Sequence, residues 1–222
     1  MSILLPVVLV FLSCGTKSRV QPPLRYVALG DSYTIGEGVE ESQRFPNHLV
    51  LGLVKAGIPV ELIANPAQTG WTTEDVLNRE LPLFEKSNPQ FATLLIGVND
   101  WVQGFTKDRF RGNFVLILER MLAVLPSSRR LVVVTIPDFS KTPEGSKYAR
   151  GRDISAGIAA FNAVILEESW KKGVASVDIF GLSQEMNNDT SLIAEDGLHP
   201  SGLEYELWAK KALPVALELL RK

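Results

Sequence analysis

Tyr26-Val27-Ala28-Leu29-Gly30-Asp31-Ser32-Tyr33 is the stretch on which the fold turns. An apolar run stops at Gly-Asp-Ser, and turn residues continue through Gly36 and Gly38. Such a run, cut short by turn residues, predicts a buried strand that delivers a serine into a loop. Three later segments make sense beside it: Asn65 to Gly70, Gly97 to Asp100 and Asp196 to His199. Ser32 is thus a candidate nucleophile, and the other three segments are candidates for the rest of its site.

Working outward, strands alternate with helices. Strands are expected at Arg25–Leu29, Val60–Ala64, Phe91–Ile96, Leu131–Ile136 and Val174–Ile179. Between them, Ser42–Ala56 carries an apolar face (Phe45, Leu49, Leu53, Val54) with Pro46 in its first turn and Gly57 as a stop signal. Thr72 and Asp75 resemble a capping box for a helix over Thr73–Lys86, which Pro82 should kink. Asp108 is expected to cap a long helix (Phe110, Phe114, Ile117, Met121, Leu122, Leu125) ended by Pro126. Asp153–Lys172 reads as a helix, and Ser201 with Glu204 as a capping box for a last helix to about Leu220, interrupted at Pro214. Pro137–Arg152 is a polar connection long enough to suggest a wall of a site.

This alternation calls for a parallel sheet covered by helices on both faces, an α/β fold. Ligands of such sheets bind at the C-terminal strand ends where strand order reverses. In a 2-1-3-4-5 order, the loops after strands one, two and three would meet, bringing Ser32, Gly70 and Asn99 together.

The chain has 222 residues, enough for one core and short for two domains. A net charge of −2 and the lack of a basic stripe argue against nucleic acid as a partner. Two histidines and one cysteine leave little material for a zinc site. Gly30 to Gly38 matches neither a dinucleotide fingerprint nor a P-loop, so no cofactor is expected.

Residues Ile3 to Leu12 form an apolar run broken only by Pro6. It is too short to span a bilayer, which takes about 20 residues, but has the length of a signal-peptide core. Leu12-Ser13-Cys14-Gly15 resembles the cleavage site of bacterial lipoproteins, although Phe11 stands where that motif prefers Leu and no Lys or Arg precedes the run. The expectation is a segment over 1–14 that ends in lipidated Cys14, a tether over 15–24, and one domain over 25–222. That places an exported protein in the periplasm or cell envelope, held to the membrane through Cys14. A plain signal peptide, or an apolar segment packed on the domain, are the alternatives.

A serine hydroxyl needs a base within hydrogen-bond reach, and the base needs an orienting group. His48 lies within a helix pattern and reads as an ordinary helix residue. His199 lies three residues after Asp196, which can bind its Nδ1 and leave Nε2 free to take the serine proton. The tetrahedral oxyanion needs donors, and the amides of Ser32 and Gly70 and the side chain of Asn99 are candidates. Taken singly, each segment reads first as a turn or a capping loop. No second glycine follows Ser32 at the spacing of a nucleophile elbow, since Thr34 stands there. Trp71, Trp101 and Phe105 lie beside these segments and are candidates either for a pocket wall or for the core.

Together and in this order, Gly30-Asp31-Ser32, Asn65-Pro66-Ala67-Gln68-Thr69-Gly70, Gly97-Val98-Asn99-Asp100 and Asp196-Gly197-Leu198-His199-Pro200 resemble the four blocks of the SGNH branch of the GDSL hydrolases. Block two departs from the usual Asn-Ala-Gly by carrying Pro66. The resemblance implies a flavodoxin-like three-layer fold with a five-stranded parallel sheet. It also implies a catalytic Ser32, His199 and Asp196, with an oxyanion hole from Ser32, Gly70 and Asn99 and no metal. The implied enzyme is a serine esterase acting through an acyl-enzyme on a small-molecule or lipid ester. Lysophospholipase, carbohydrate O-acetyl esterase and thioesterase activities are all represented in the family, and a monomer is expected. A ligand-binding lipoprotein that does not turn over its ligand is the alternative from another class.

Overall fold

The computed structural model describes residues 22–221. The apolar run, Cys14 and the expected tether up to residue 21 lie outside the described residues. Leu24, assigned to the tether, is already strand: its amide donates to the Pro59 carbonyl at 2.8 Å.

Five strands, β1 (Leu24–Gly30), β2 (Val60–Ala64), β3 (Phe91–Leu95), β4 (Leu131–Val134) and β5 (Ala175–Val177), form one sheet in the order β2-β1-β3-β4-β5. Every pairing is parallel. All residues of β3 and β4 are buried, as their near-continuous apolar sequence requires of strands covered on both faces. β2 pairs with β1 only as far as Val27↔Ala64, so Ala28 to Gly30 run on past its end, while β3 stays with β1 to Gly30↔Leu95.

The helices are α1 (Ser32–Ile35), α2 (Phe45–Lys55), α3 (Thr73–Asp75), α4 (Leu81–Lys86), α5 (Val98–Gln103), α6 (Lys107–Val124), α7 (Ile154–Lys171), α8 (Phe180–Ser183) and α9 (Gly202–Leu220). α2 packs on α9, while α4, α6 and α7 pack one on the next elsewhere on the sheet. The core joins the strands to Phe45, Leu49 and Leu53 of α2, Phe110, Phe114 and Ile117 of α6, Ile158 and Ile165 of α7, and Trp208 of α9.

The structure corrects several sequence expectations at helix ends. The first long helix opens with a separate 3-10 turn, Glu41–Gln43, before α2 begins at Phe45 with Pro46 in its first turn. Thr106, not Asp108, caps α6: its side chain accepts from the Arg109 amide at 3.2 Å, which leaves Asp108 in the first turn. The capping box at Thr72 and Asp75 forms. Between α3 and α4 the chain makes a π turn, Val76–Glu80, closed by Leu81 N–H donating to the Val76 carbonyl. Pro82, which has no N–H for the Asn78 carbonyl, sits in the first turn after it. Ser201 caps α9, but Glu204 does not return the bond. It is buried, and its Oε1 accepts from Trp208 Nε1 at 2.6 Å. α9 runs through Pro214 without interruption.

Candidate active site

β1 ends at Gly30, where a Cβ would run into the Leu95 carbonyl and the Thr34 hydroxyl, so only glycine fits so close to β3. Asp31 then caps α1, its carboxylate accepting from the Tyr33 amide at 3.0 Å. Ser32 is the first residue of that helix and is buried. An amide in a helix's first turn has no intrahelical acceptor, so that of Ser32 is suited to hold a ligand oxygen.

Asp196 and His199 lie in the connection before α9. The Asp196 carboxylate accepts from the amides of Leu198 and His199, each at 2.9 Å, and lies 2.6 Å from His199 Nδ1. Burial works to raise this carboxyl, but the bonds from the His199 ring and the two amides outweigh it and hold it below its ordinary value. As the carboxylate, it accepts a hydrogen bond from Nδ1–H, which fixes the tautomer and leaves Nε2 as the acceptor. The Ala194 amide on the His199 carbonyl (2.8 Å) and the Ile193↔Pro200 bridge fix the loop. Tyr33 meets the His199 ring edge-on, with centroids 5.8 Å apart.

Asn99, in the first turn of α5, donates from Nδ2 to the Trp71 carbonyl at 2.9 Å. A side-chain amide has two N–H groups, so a second remains. Asn65 Nδ2 donates to the Thr34 carbonyl at 2.9 Å, so the second block holds the end of α1. Gly70 adopts φ +84°, a conformation that favours glycine, and is exposed.

Ser32, Asn99 and His199 line one small, open cleft together with Tyr33, Val98, Val102, Phe139, Tyr148 and Leu198. Asp196 stands behind His199. Gly70 is not among the lining residues; it precedes Trp71, the residue that holds Asn99. The connection after β4 supplies a wall through Phe139 and Tyr148, whose rings meet edge-on at 6.3 Å. The aromatics singled out from the sequence do not line the cleft. Trp101 is buried behind Phe139 with the Arg152 guanidinium 3.9 Å over its ring, Phe105 lies under Arg109, and Trp71 beside Arg79. His48 is half-buried on α2 and lines a different groove, against α9.

Sequence reasoning missed the acids beneath the site. Asp31, Glu80 and Asp100 are all buried. Burial, with Asp100 nearby, pushes Asp31 up to about 8, and burial pushes Asp100 up to about 6 despite its bonds from Thr73. Among the described residues, no group of three or more His, Cys, Asp or Glu could hold a metal ion. Among the described residues, no helix is long and apolar enough to cross a membrane.

The model of the GDSL-like lipase/acylhydrolase family matches residues 28–207, and the chain belongs to that family. It is therefore a hydrolase of ester bonds. Among solved structures it is similar to TesA (20% identity, TM-score 0.71, covering 88% of this chain and 99% of that one). It is also similar to a family 3 carbohydrate esterase of Clostridium thermocellum (21%, 0.70, 90% and 98%) and to a lipase/acylhydrolase of Enterococcus faecalis (25%, 0.68, 89% and 96%). No curated protein matches significantly.

Proposed function

We propose that the protein is a serine esterase for short acyl esters, with Ser32 as nucleophile, His199 as base and acid, and Asp196 as the group that orients the ring. One observation carries this reading: Ser32, Asn99 and His199 share a single small cleft while Asp196 holds the far nitrogen of the histidine. His199 Nε2 takes the proton as Ser32 Oγ bonds to the ester carbonyl carbon. The oxyanion so formed is held by the Ser32 amide and the free N–H of Asn99; the Gly70 amide, expected from the sequence as a third donor, does not line the cleft. Collapse breaks the ester C–O bond, and the departing alcohol takes the proton back from His199. Water, deprotonated by the same nitrogen, then releases the acid from the acyl-enzyme.

The size of the cleft and its lining of Val98, Val102, Phe139, Tyr148 and Leu198 support acetyl to butyryl groups over long chains. The carbohydrate esterase among the structural neighbours is consistent with an O-acetyl substrate. Hydrolysis of p-nitrophenyl acetate, butyrate and octanoate tests the reading: acetate and butyrate should lead. A preference for octanoate would instead favour a lysophospholipase-like or acyl-thioester substrate.

Export with a lipid anchor at Cys14 is a separate proposal, supported by the apolar run before Leu12-Ser13-Cys14-Gly15. A Cys14→Ser chain should lose membrane partitioning. One that still partitions would refute the anchor.

A further inference from the structure

We propose that Glu80 is a positioning residue for Ser32: presented by the π turn, its carboxyl takes the amide at the end of β1 and fixes the exit that aims the nucleophile. The inference rests on reading Ser32 as the nucleophile.

The observation is a bond that the sheet itself does not provide. Ala28 to Gly30 extend beyond the last β2 pairing, Val27↔Ala64, so the strand end on that side has no neighbouring strand. The Gly30 amide donates instead to Glu80 Oε2 at 2.9 Å. Gly30 is pressed against the Leu95 carbonyl of β3 and the Thr34 hydroxyl, which itself donates to the Leu29 carbonyl at 3.4 Å. Gly30, two residues before Ser32, is therefore held from both sides, by β3 and by Glu80. A change at Glu80 releases only one of them.

The cost of the arrangement speaks for a use. Glu80 is completely buried, and its Oε1 has no hydrogen-bond partner among the described residues; nor does the buried Oδ2 of Asp31. An apolar residue in the π turn would avoid the expense of a half-satisfied buried carboxyl. Among the described residues no cation pairs with it: burial, opposed by the bond from Gly30 and helped by Asp31 and Asp75, pushes Glu80 well above its ordinary value and favours the neutral acid. A neutral carboxyl still accepts from the Gly30 amide and brings no negative charge beneath a site where an oxyanion develops. The π turn is the device that delivers it. Such turns insert a residue into the helical repeat and re-aim the side chains around it.

The test is the rate at which a small fluorophosphonate modifies Ser32, measured on folded protein well below its melting temperature, beside kcat and KM for p-nitrophenyl acetate. Glu80→Met keeps the side-chain length but removes the acceptor, and Glu80→Gln keeps an acceptor without charge. The Met variant should lose about tenfold or more in both phosphonylation rate and kcat, with KM nearly unchanged, because misaiming a nucleophile costs rate and not binding. The Gln variant should recover most of the loss. A purely structural bond would lower the melting temperature and leave the rates per folded site alone, and that result overturns the proposal. Should the Met variant not fold, Glu80→Asp, which withdraws the carboxyl by one methylene, replaces it: a slower rate supports the proposal and an unchanged rate overturns it. A wild-type protein inert to the probe would overturn the serine-nucleophile reading, and this inference with it. A reactive wild type with an equally reactive Met variant overturns this inference alone.

Discussion

At the scale of single residues, the site is a set of turn and cap positions doing chemical duty. Asp31 caps α1 and thereby presents Ser32; Asn99 opens α5 and is steadied by Trp71; Asp196 braces two amides of its own loop and the ring of His199. His199→Ala should therefore lower kcat by several orders of magnitude, since no other group lining the cleft can take the serine proton. Asn99→Ala should cost about a hundredfold in kcat, or about 2.7 kcal/mol of transition-state stabilisation, with KM little changed. An Asn99→Ala enzyme with wild-type kcat would show that the oxyanion is held elsewhere. These residues were legible because turn chemistry marks them in the sequence: Gly-Asp-Ser, Gly-x-Asn-Asp and Asp-Gly-x-His are unusual together. Glu80 and Glu204 were not, because a glutamate in a helical pattern reads as solvent-facing. Only the packing of β1 against the π turn, and of Trp208 into the core, shows that both point inward.

At the scale of elements, the connection from Pro137 to Arg152 shapes the cleft. Its length marked it in the sequence, whereas Phe139 and Tyr148 were not singled out, because nothing local distinguishes a wall aromatic from any loop aromatic. Asp138 anchors it, accepting from Ser155 Oγ at 2.7 Å, Gln184 Nε2 at 3.0 Å and the Ser140 amide at 3.1 Å. Arg152 pins its far end to the carbonyls of Trp101 and Val102 at 2.6 and 3.1 Å. Tyr148→Ala should widen the cleft and shift preference from acetate toward octanoate by several-fold in relative kcat/KM. An unchanged chain-length profile would remove Tyr148 from the acyl pocket. The expected interruption of the last helix failed because Pro214 was given too much weight. Pro214 forgoes a bond to the Lys210 carbonyl, yet α9 continues, because its packing on α2 outweighs one lost hydrogen bond. Pro82 is absorbed by the π turn before it.

At the scale of the whole molecule, strand order was legible because helices alternate with strands and the site segments had to meet. The population of buried acids was not. Burial pushes Asp31 to about 8, Asp100 to about 6 and Glu204 to about 7, in the last case helped by Glu185 and opposed by the bond from Trp208. A group with a raised folded value keeps its proton while the unfolded chain has released it, so stability falls as pH rises through that interval. Asp196 and Asp138, held low by hydrogen bonds that outweigh their burial, act oppositely and lose their contribution in acid. The melting temperature should accordingly peak near about pH 5 and decline toward about pH 8. Glu204→Gln, which keeps an acceptor for Trp208, should raise it more at the higher pH than at the lower. A melting temperature that rises steadily from about pH 5 to about pH 8 would contradict the placement of these acids.

The central claim is that Ser32 carries the acyl group. Acid-quenching the enzyme during turnover of p-nitrophenyl acetate, digesting it and reading peptide masses tests this most directly. The account predicts one acetyl group on the peptide containing Ser32, with neither adduct nor turnover in Ser32→Ala. Turnover that persists in Ser32→Ala, or an acetyl group trapped on another residue, would contradict it.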